Sequence, residues 1–257
     1  MIRRLRSTTG HPPALELAQL LHPVQVFCWG PLALNYLGVP VVAITIVVSD
    51  DQYQQSIERL TTAGFLISSP RRNPAPEVLQ RLPDPEAVIH EINDGYKHID
   101  QSTTTFNYPD DPEEAKRQVT LIPSSVAHLS IPLNLHLSKF PGYDRHELNL
   151  FFPLEPQLLE SFIKSVIDDD DRQEHGTVSL WGGMLRTWIA HMRGYLEIDN
   201  DAVDGCADKR VTEWFSVHFG RKHEAEFGPW DLRVSKRLGS SGEMGVDMRG
   251  NPVNSER

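Results

Sequence analysis

The chain has 257 residues, 39% of them hydrophobic, which is enough for one well-filled core or one core with a smaller appended part. Its 25 basic and 35 acidic residues leave a net charge of −10, which argues against general nucleic-acid binding and against an anionic-membrane binder. No apolar run approaches the ~20 residues that span a bilayer, and Cys28 and Cys206 lie far apart without metal-ligand spacing, so a reducing, cytoplasmic setting is expected.

The first twelve residues read as a flexible arm. Their basic start, with no acidic residue before Glu16, is similar to a transit peptide, but no amphipathic helix follows before His11-Pro12-Pro13. From Pro13 to Leu21 a short helix is expected, with Ala14, Leu17, Ala18 and Leu21 on one stripe and Pro23 beyond its end. Val24 to Cys28 reads as a strand and Trp29-Gly30-Pro31 as a turn. The helix after it ends at Gly38, which suits the left-handed position past a helix terminus. The β-branched run Val41–Val48 predicts a central strand buried on both faces. Ser49-Asp50-Asp51-Gln52 fits a capping box at the head of a helix that Gly64 closes, and Phe65–Ser69 can form a third strand.

Seven prolines between Pro70 and Pro112 predict an irregular insertion with one short helix near Pro85–Ile92. Val119–Ile122 and Val126–Leu137 are strand-like; Leu133, Leu135 and Leu137 alternate with polar residues, and Leu148–Phe152 reads as one more strand. From residue 153 to 235 the chain is expected to be mainly helical. Pro156 opens one helix, and Asp168–Asp171 after it is expected in a solvated loop, because four acids oppose the dipole of a helix C-terminus. Thr177–Leu196 carries Trp181, Met184, Leu185 and Trp188 on a broad apolar face, with Arg186 and Arg193 on the polar one. Val211–Phe219 is a further short element, and residues 236–257 have the composition of a disordered tail.

The order strand, glycine turn, helix, strand, helix over Leu15–Phe65 resembles the nucleotidyltransferase fold, in the degraded form of a set of uncharacterised fungal proteins. The resemblance implies an α/β (α+β) chain: a nucleotidyltransferase-like mixed sheet with flanking helices over 13–152, followed by the helical part. In that family an acidic–hydrophobic–acidic triplet on the second strand holds two metal ions against the nucleotide phosphates. Here the triplet falls on Ala43-Ile44-Thr45, so both acidic members are missing, and Pro31 stands beside Gly30 where Gly or Ser is expected. Val119–Ile122 offers no third carboxylate.

A neutral strand cannot balance two divalent cations. The resemblance therefore implies a binding protein without catalysis, for a nucleotide or a protein partner, with Trp29, Gly30 and Thr45 as nucleotide-binding candidates and no cofactor. An active enzyme would need Mg²⁺ and displaced carboxylates, for which Asp50, Asp51 and Glu91 are the candidates. Asp50 and Asp51 are better explained as acids favoured in a helix's first turn. A third reading is a protein-interaction scaffold built from the proline-rich segment and the tryptophan-rich helix. His128, His136 and His146 have no zinc spacing and read as surface or core histidines.

Overall fold

The β-branched run that ends at Val48 forms the middle strand of a seven-stranded mixed sheet. The structure is a computed structural model and describes residues 12–39, 43–72, 74–109, 117–131, 143–146, 149–173, 177–196 and 198–227. Expectations for the N-terminal arm, for Leu133–Leu137 with His136, and for the tail lie outside the described residues.

The elements are α1 (Pro12–Leu21), β1 (Val26–Cys28), α2 (Gly30–Tyr36), β2 (Ile44–Val48), α3 (Asp50–Thr62) and β3 (Leu66–Ser68). They continue with α4 (Pro76–Leu79), α5 (Pro85–Asp94), α6 (Lys97–Ser102), β4 (Thr104–Asn107), β5 (Gln118–Pro123) and α7 (Ser124–Ala127). The last are β6 (Tyr143–His146), β7 (Leu150–Pro153), α8 (Glu155–Arg172), α9 (Leu180–Leu196), α10 (Lys209–His218) and α11 (Arg221–Phe227). The chain is thus mixed α/β, as expected, with strand order β3-β4-β5-β2-β1-β7-β6.

β2 runs antiparallel to β1 and parallel to β5. Its outer half is buried on both faces through Ile46, Val47 and Val48, while Ile44 and Thr45 are only half-buried, because that end opens into a cleft. Gly38 lies past α2 with φ +102°, the conformation its position demanded. One hydrophobic cluster extends from Ala14 to Phe219, so the sheet and the C-terminal helices share a core. Asn149 ties its near side together: the buried amide donates to the carbonyls of Ala18 and Val24, both at 2.7 Å, joining α1, the lead into β1 and the lead into β7.

Three expectations are corrected. The proline-rich span holds the short helix expected near Pro85–Ile92, as α5, but is more regular than expected: it also forms α4 and α6 and supplies β4, which lies between β3 and β5. Pro76 and Pro85 each open a helix there, where a missing N–H costs nothing. Val126 does not begin a strand. Residues 124–127 are the short helix α7, which stops at His128 with φ 50°.

The third correction concerns Asp168–Asp171, which lie within α8 rather than in a loop. Neighbouring elements supply a partner for each. Asp168 pairs with His128 at 2.9 Å, Asp170 with Arg186 at 2.6 Å and Asp171 with Arg210 at 3.4 Å, while the buried Asp169 accepts from the Ser179 hydroxyl at 2.6 Å. Two arginines, a histidine and a serine hydroxyl arriving from outside α8 offset the unfavourable dipole, which the local sequence leaves uncompensated. Arg193, on the polar side of α9, is buried at 8% exposed and pairs with Glu224 at 3.0 Å.

Candidate functional site

The register of the sheet sets a row of hydroxyls at the open end of β2. Thr45 lies opposite Thr120 of β5, and Thr120 opposite Thr105 of β4, so all three share one face. The Thr105 and Thr120 hydroxyls are 3.2 Å apart and hydrogen-bonded. Thr120, like Thr45 beside it, is neutral.

Above this row lies a cleft of about 410 Å³. Its floor is Ala43, Thr45 and Thr120, and its walls are Trp29, Trp181 and Trp188, with Tyr96 and the Arg72–Asp100 pair at the rim. The indoles brace one another: Trp188 meets Trp29 edge-on at 5.6 Å between centroids and Trp181 edge-on at 5.6 Å. The Trp29 indole N–H donates to Ser161 at 2.7 Å, which locks that ring to α8. Trp29 is 1% exposed and Trp188 is 7% exposed, so they form the deep part of the wall, while the half-buried Trp181 and the 38%-exposed Met184 face the opening. Met184 is thus a cleft residue rather than a core one.

The cleft's charge is balanced. Arg72 grips Asp100 through two guanidinium nitrogens and stacks 4.1 Å over the Tyr96 ring. Burial pushes the Tyr96 phenol above its ordinary pKa, keeping it a proton donor at neutral pH.

Of the candidates picked from sequence, Trp29, Ala43 and Thr45 come together in this cleft. Gly30 lies behind it. With φ +56° and the Trp188 ring 3.1 Å from where a Cβ would be, its backbone is approached by an indole. α2 has seven residues, too short to offer a strong dipole.

Asp50 and Asp51 sit at the other end of β2. Asp50 accepts hydrogen bonds from the Ser124 and Ser125 hydroxyls at 2.9 and 2.7 Å and from the Ser125 N–H at 3.2 Å, holding α7 to α3. Asp51 and Glu91 are exposed and line no part of the cleft. Among the described residues Asp100 is the one carboxylate lining it and is already engaged by Arg72, so the residues present do not fit a pair of divalent ions. Among the described residues no group of three or more His, Cys, Asp or Glu is placed to hold a metal.

Sequence reasoning missed Arg72, Tyr96, Asp100 and Thr120. Tyr96 and Asp100 are four residues apart, a spacing that sets two side chains on one helical face, but nothing local says that the face meets β2. No helix of the described residues is long and apolar enough to cross a membrane. A scan against protein-family models finds no match, and neither do searches of curated proteins and of solved structures.

Proposed function

We propose that this chain is a non-catalytic binding protein on a degraded nucleotidyltransferase-like frame, whose aromatic cleft receives the planar ring of a nucleotide or nucleoside. One observation carries the reading: three tryptophans and a tyrosine line the cleft that Thr45 opens into, over a floor of threonines and alanine. Indole faces favour stacking on a heteroaromatic ring, and threonine hydroxyls can give and accept hydrogen bonds along its edge. Arg72, the one cation lining the cleft among the described residues, is spent on Asp100, so recognition rests on the base and not on phosphate charge. The two cysteines, both buried and free, fit the cytoplasmic setting this reading assumes.

Tryptophan fluorescence reads the cleft directly. Titration with adenosine and with ATP, each with Mg²⁺ and with EDTA, is expected to give a saturable change that is the same with and without metal. Replacing Trp181 by Leu should weaken binding by roughly tenfold, since base–aromatic stacking contributes ~1–3 kcal/mol. Metal-dependent turnover of ATP would restore the active-enzyme reading, and no signal at millimolar nucleotide would end the nucleotide reading altogether.

The scaffold reading has an observation of its own. The edge strand β3 leaves Leu66 56% and Ile67 63% exposed, an arrangement open to strand addition by a protein partner. If β3 associates, sedimentation of the wild-type chain should show species that Ile67→Lys abolishes.

A further inference from the structure

The aromatic cleft is closed at its rim by a ring held only through its faces. Tyr96 stands just before α6, and its hydroxyl makes no hydrogen bond among the described residues. The backbone beneath it is fixed. The Gly95 carbonyl accepts from the Trp181 N–H at 3.1 Å, and Leu180 Cβ lies 2.8 Å from where a Gly95 side chain would begin. Movement at the rim therefore falls to side chains. On one face of the Tyr96 ring lies the Arg72 guanidinium, 4.1 Å from the centroid. Asp100, one helical turn on from Tyr96, holds that guanidinium through both carboxylate oxygens.

This arrangement shuts the cleft against a stacked ring. A planar ring sandwiched between two others needs about 7 Å between their centroids, twice the ~3.5 Å carbon contact distance. Tyr96 and Trp181 stand 6.2 Å apart with their planes at 56°, so neither the spacing nor the angle admits one. The deeper indoles are covered as well: Trp29 and Trp188 are 1% and 7% exposed, although both line a space of about 410 Å³. Rotation of the Tyr96 side chain would open the gap, and the Arg72–Asp100 pair restrains it.

We propose that Tyr96 is a gate of the aromatic cleft, clamped shut by Arg72, which Asp100 pins in place, and that release of the clamp lets a planar ring stack between Tyr96 and Trp181. What passes the gate rests on the nucleotide reading above; the gate itself rests on the geometry of these four side chains. The clamp is built to yield. Arg72 and Asp100 keep 20% and 26% of their side chains exposed, so their pair has the modest strength of ion pairs in contact with water. A gate held by such a pair is closed for most of the time and open for a fraction, and the affinity for a ring is reduced by that fraction. Screening by salt loosens the pair further.

Acrylamide quenching of tryptophan emission tests the gate on the full chain without a ligand. Asp100→Ala and Arg72→Gln each release the clamp and should raise the quenching constant, because the deep indoles become reachable. Melting temperatures lowered by no more than about 4 °C would show that both variants stay folded. Adenosine, which is uncharged, should bind each variant about two- to fivefold more tightly than the wild type in a fluorescence titration, and the double variant no more tightly than the singles. Salt raised towards ~1 M should tighten adenosine binding by the wild type and leave Asp100→Ala level. Raised quenching with no adenosine signal in any variant upholds the gate and overturns the nucleotide reading. Quenching unchanged in both variants, or adenosine bound more weakly by both, overturns the gate while the nucleotide reading stands.

Discussion

At Gly30 the backbone turns with φ at +56°, and the Trp188 ring closes to 3.1 Å of the space a side chain would enter. An alanine there would hold a left-handed conformation, which costs ~1–3 kcal/mol, and would push against a ring braced by Trp29 and Trp181. Gly30→Ala is therefore expected to lower the urea-unfolding free energy by about 2 kcal/mol. It should also alter the tryptophan emission of the folded protein, because the indole must shift; an unchanged midpoint and spectrum would contradict both constraints. His191 gives a pH dependence at the same scale. Burial holds its imidazole below the ordinary value of 6.5, and its Nδ1 has no partner among the described residues. The unfolded chain takes up this proton first as pH falls, so the stabilisation is complete above the unfolded value and is lost as pH drops through it towards the lower folded value. Plots of melting temperature against pH should fall less steeply between pH 7 and 5, about the ordinary histidine range, for His191→Phe than for the wild type.

The joint between α8 and α9 shows how elements are held by side chains that composition alone misjudges. The Ser179 hydroxyl donates to Asp169 at 2.6 Å and accepts from the Gly182 N–H at 2.8 Å, so a serine caps α9 while a buried carboxylate fixes the serine. Gly182 leaves room for this relay: a methyl group there would run into Asp169 Oδ2 and approach the Arg186 guanidinium. Gly182→Ala adds helix propensity of ~1 kcal/mol, which at an ordinary helical site would stabilise. Here net destabilisation by about 2 kcal/mol is expected, because a buried carboxylate must move off its donor. Thermal melts of Gly182→Ala alone and with Asp169→Asn separate the causes, and a stabilised Gly182→Ala single variant would refute the relay. The capping box at Ser49 shows a smaller departure. Ser49 does precede α3, but its hydroxyl meets the Gln52 side chain at 3.2 Å instead of a backbone N–H, while Asp50 is drawn across to α7.

Across the whole molecule, what was legible in the residues was whatever one element's own period encodes. The α1 stripe, the positions after Cys28 and Val48 where helices begin, and the apolar face of α9 could all be read in order, because burial repeats at fixed spacing. What pairs across long sequence distance could not. Nothing in Thr45, Thr120 and Thr105 says that they adjoin until strand order is known, and no local rule matches Asp169 to Ser179. The proline-rich span is the sharpest case. Thr104–Asn107 is a β-branched and aromatic run, but the surrounding prolines outweigh four residues in any local reading, and the sheet overrides them.

That span also offers a test of how far the fold depends on it. If residues 70–109 were an excisable insertion, a chain joining residue 69 to residue 110 through a flexible linker would keep a cooperative transition. Removing β4 instead strips β3 of the strand it pairs with, leaves β5 without its β4 partner, and deletes the buried Phe106 and Tyr108 from the core. It also removes Arg72, Tyr96 and Asp100 from the aromatic cleft and the Gly95 carbonyl that accepts from the Trp181 N–H at 3.1 Å. Two lost aromatic anchors alone amount to ~3–5 kcal/mol each, comparable to the whole stability of an ordinary domain at ~5–15 kcal/mol. The deleted chain is expected to show no cooperative unfolding in urea and a broadened, weakened near-ultraviolet dichroism, whereas a sharp transition near that of the full chain would mean that the sheet closes without β4.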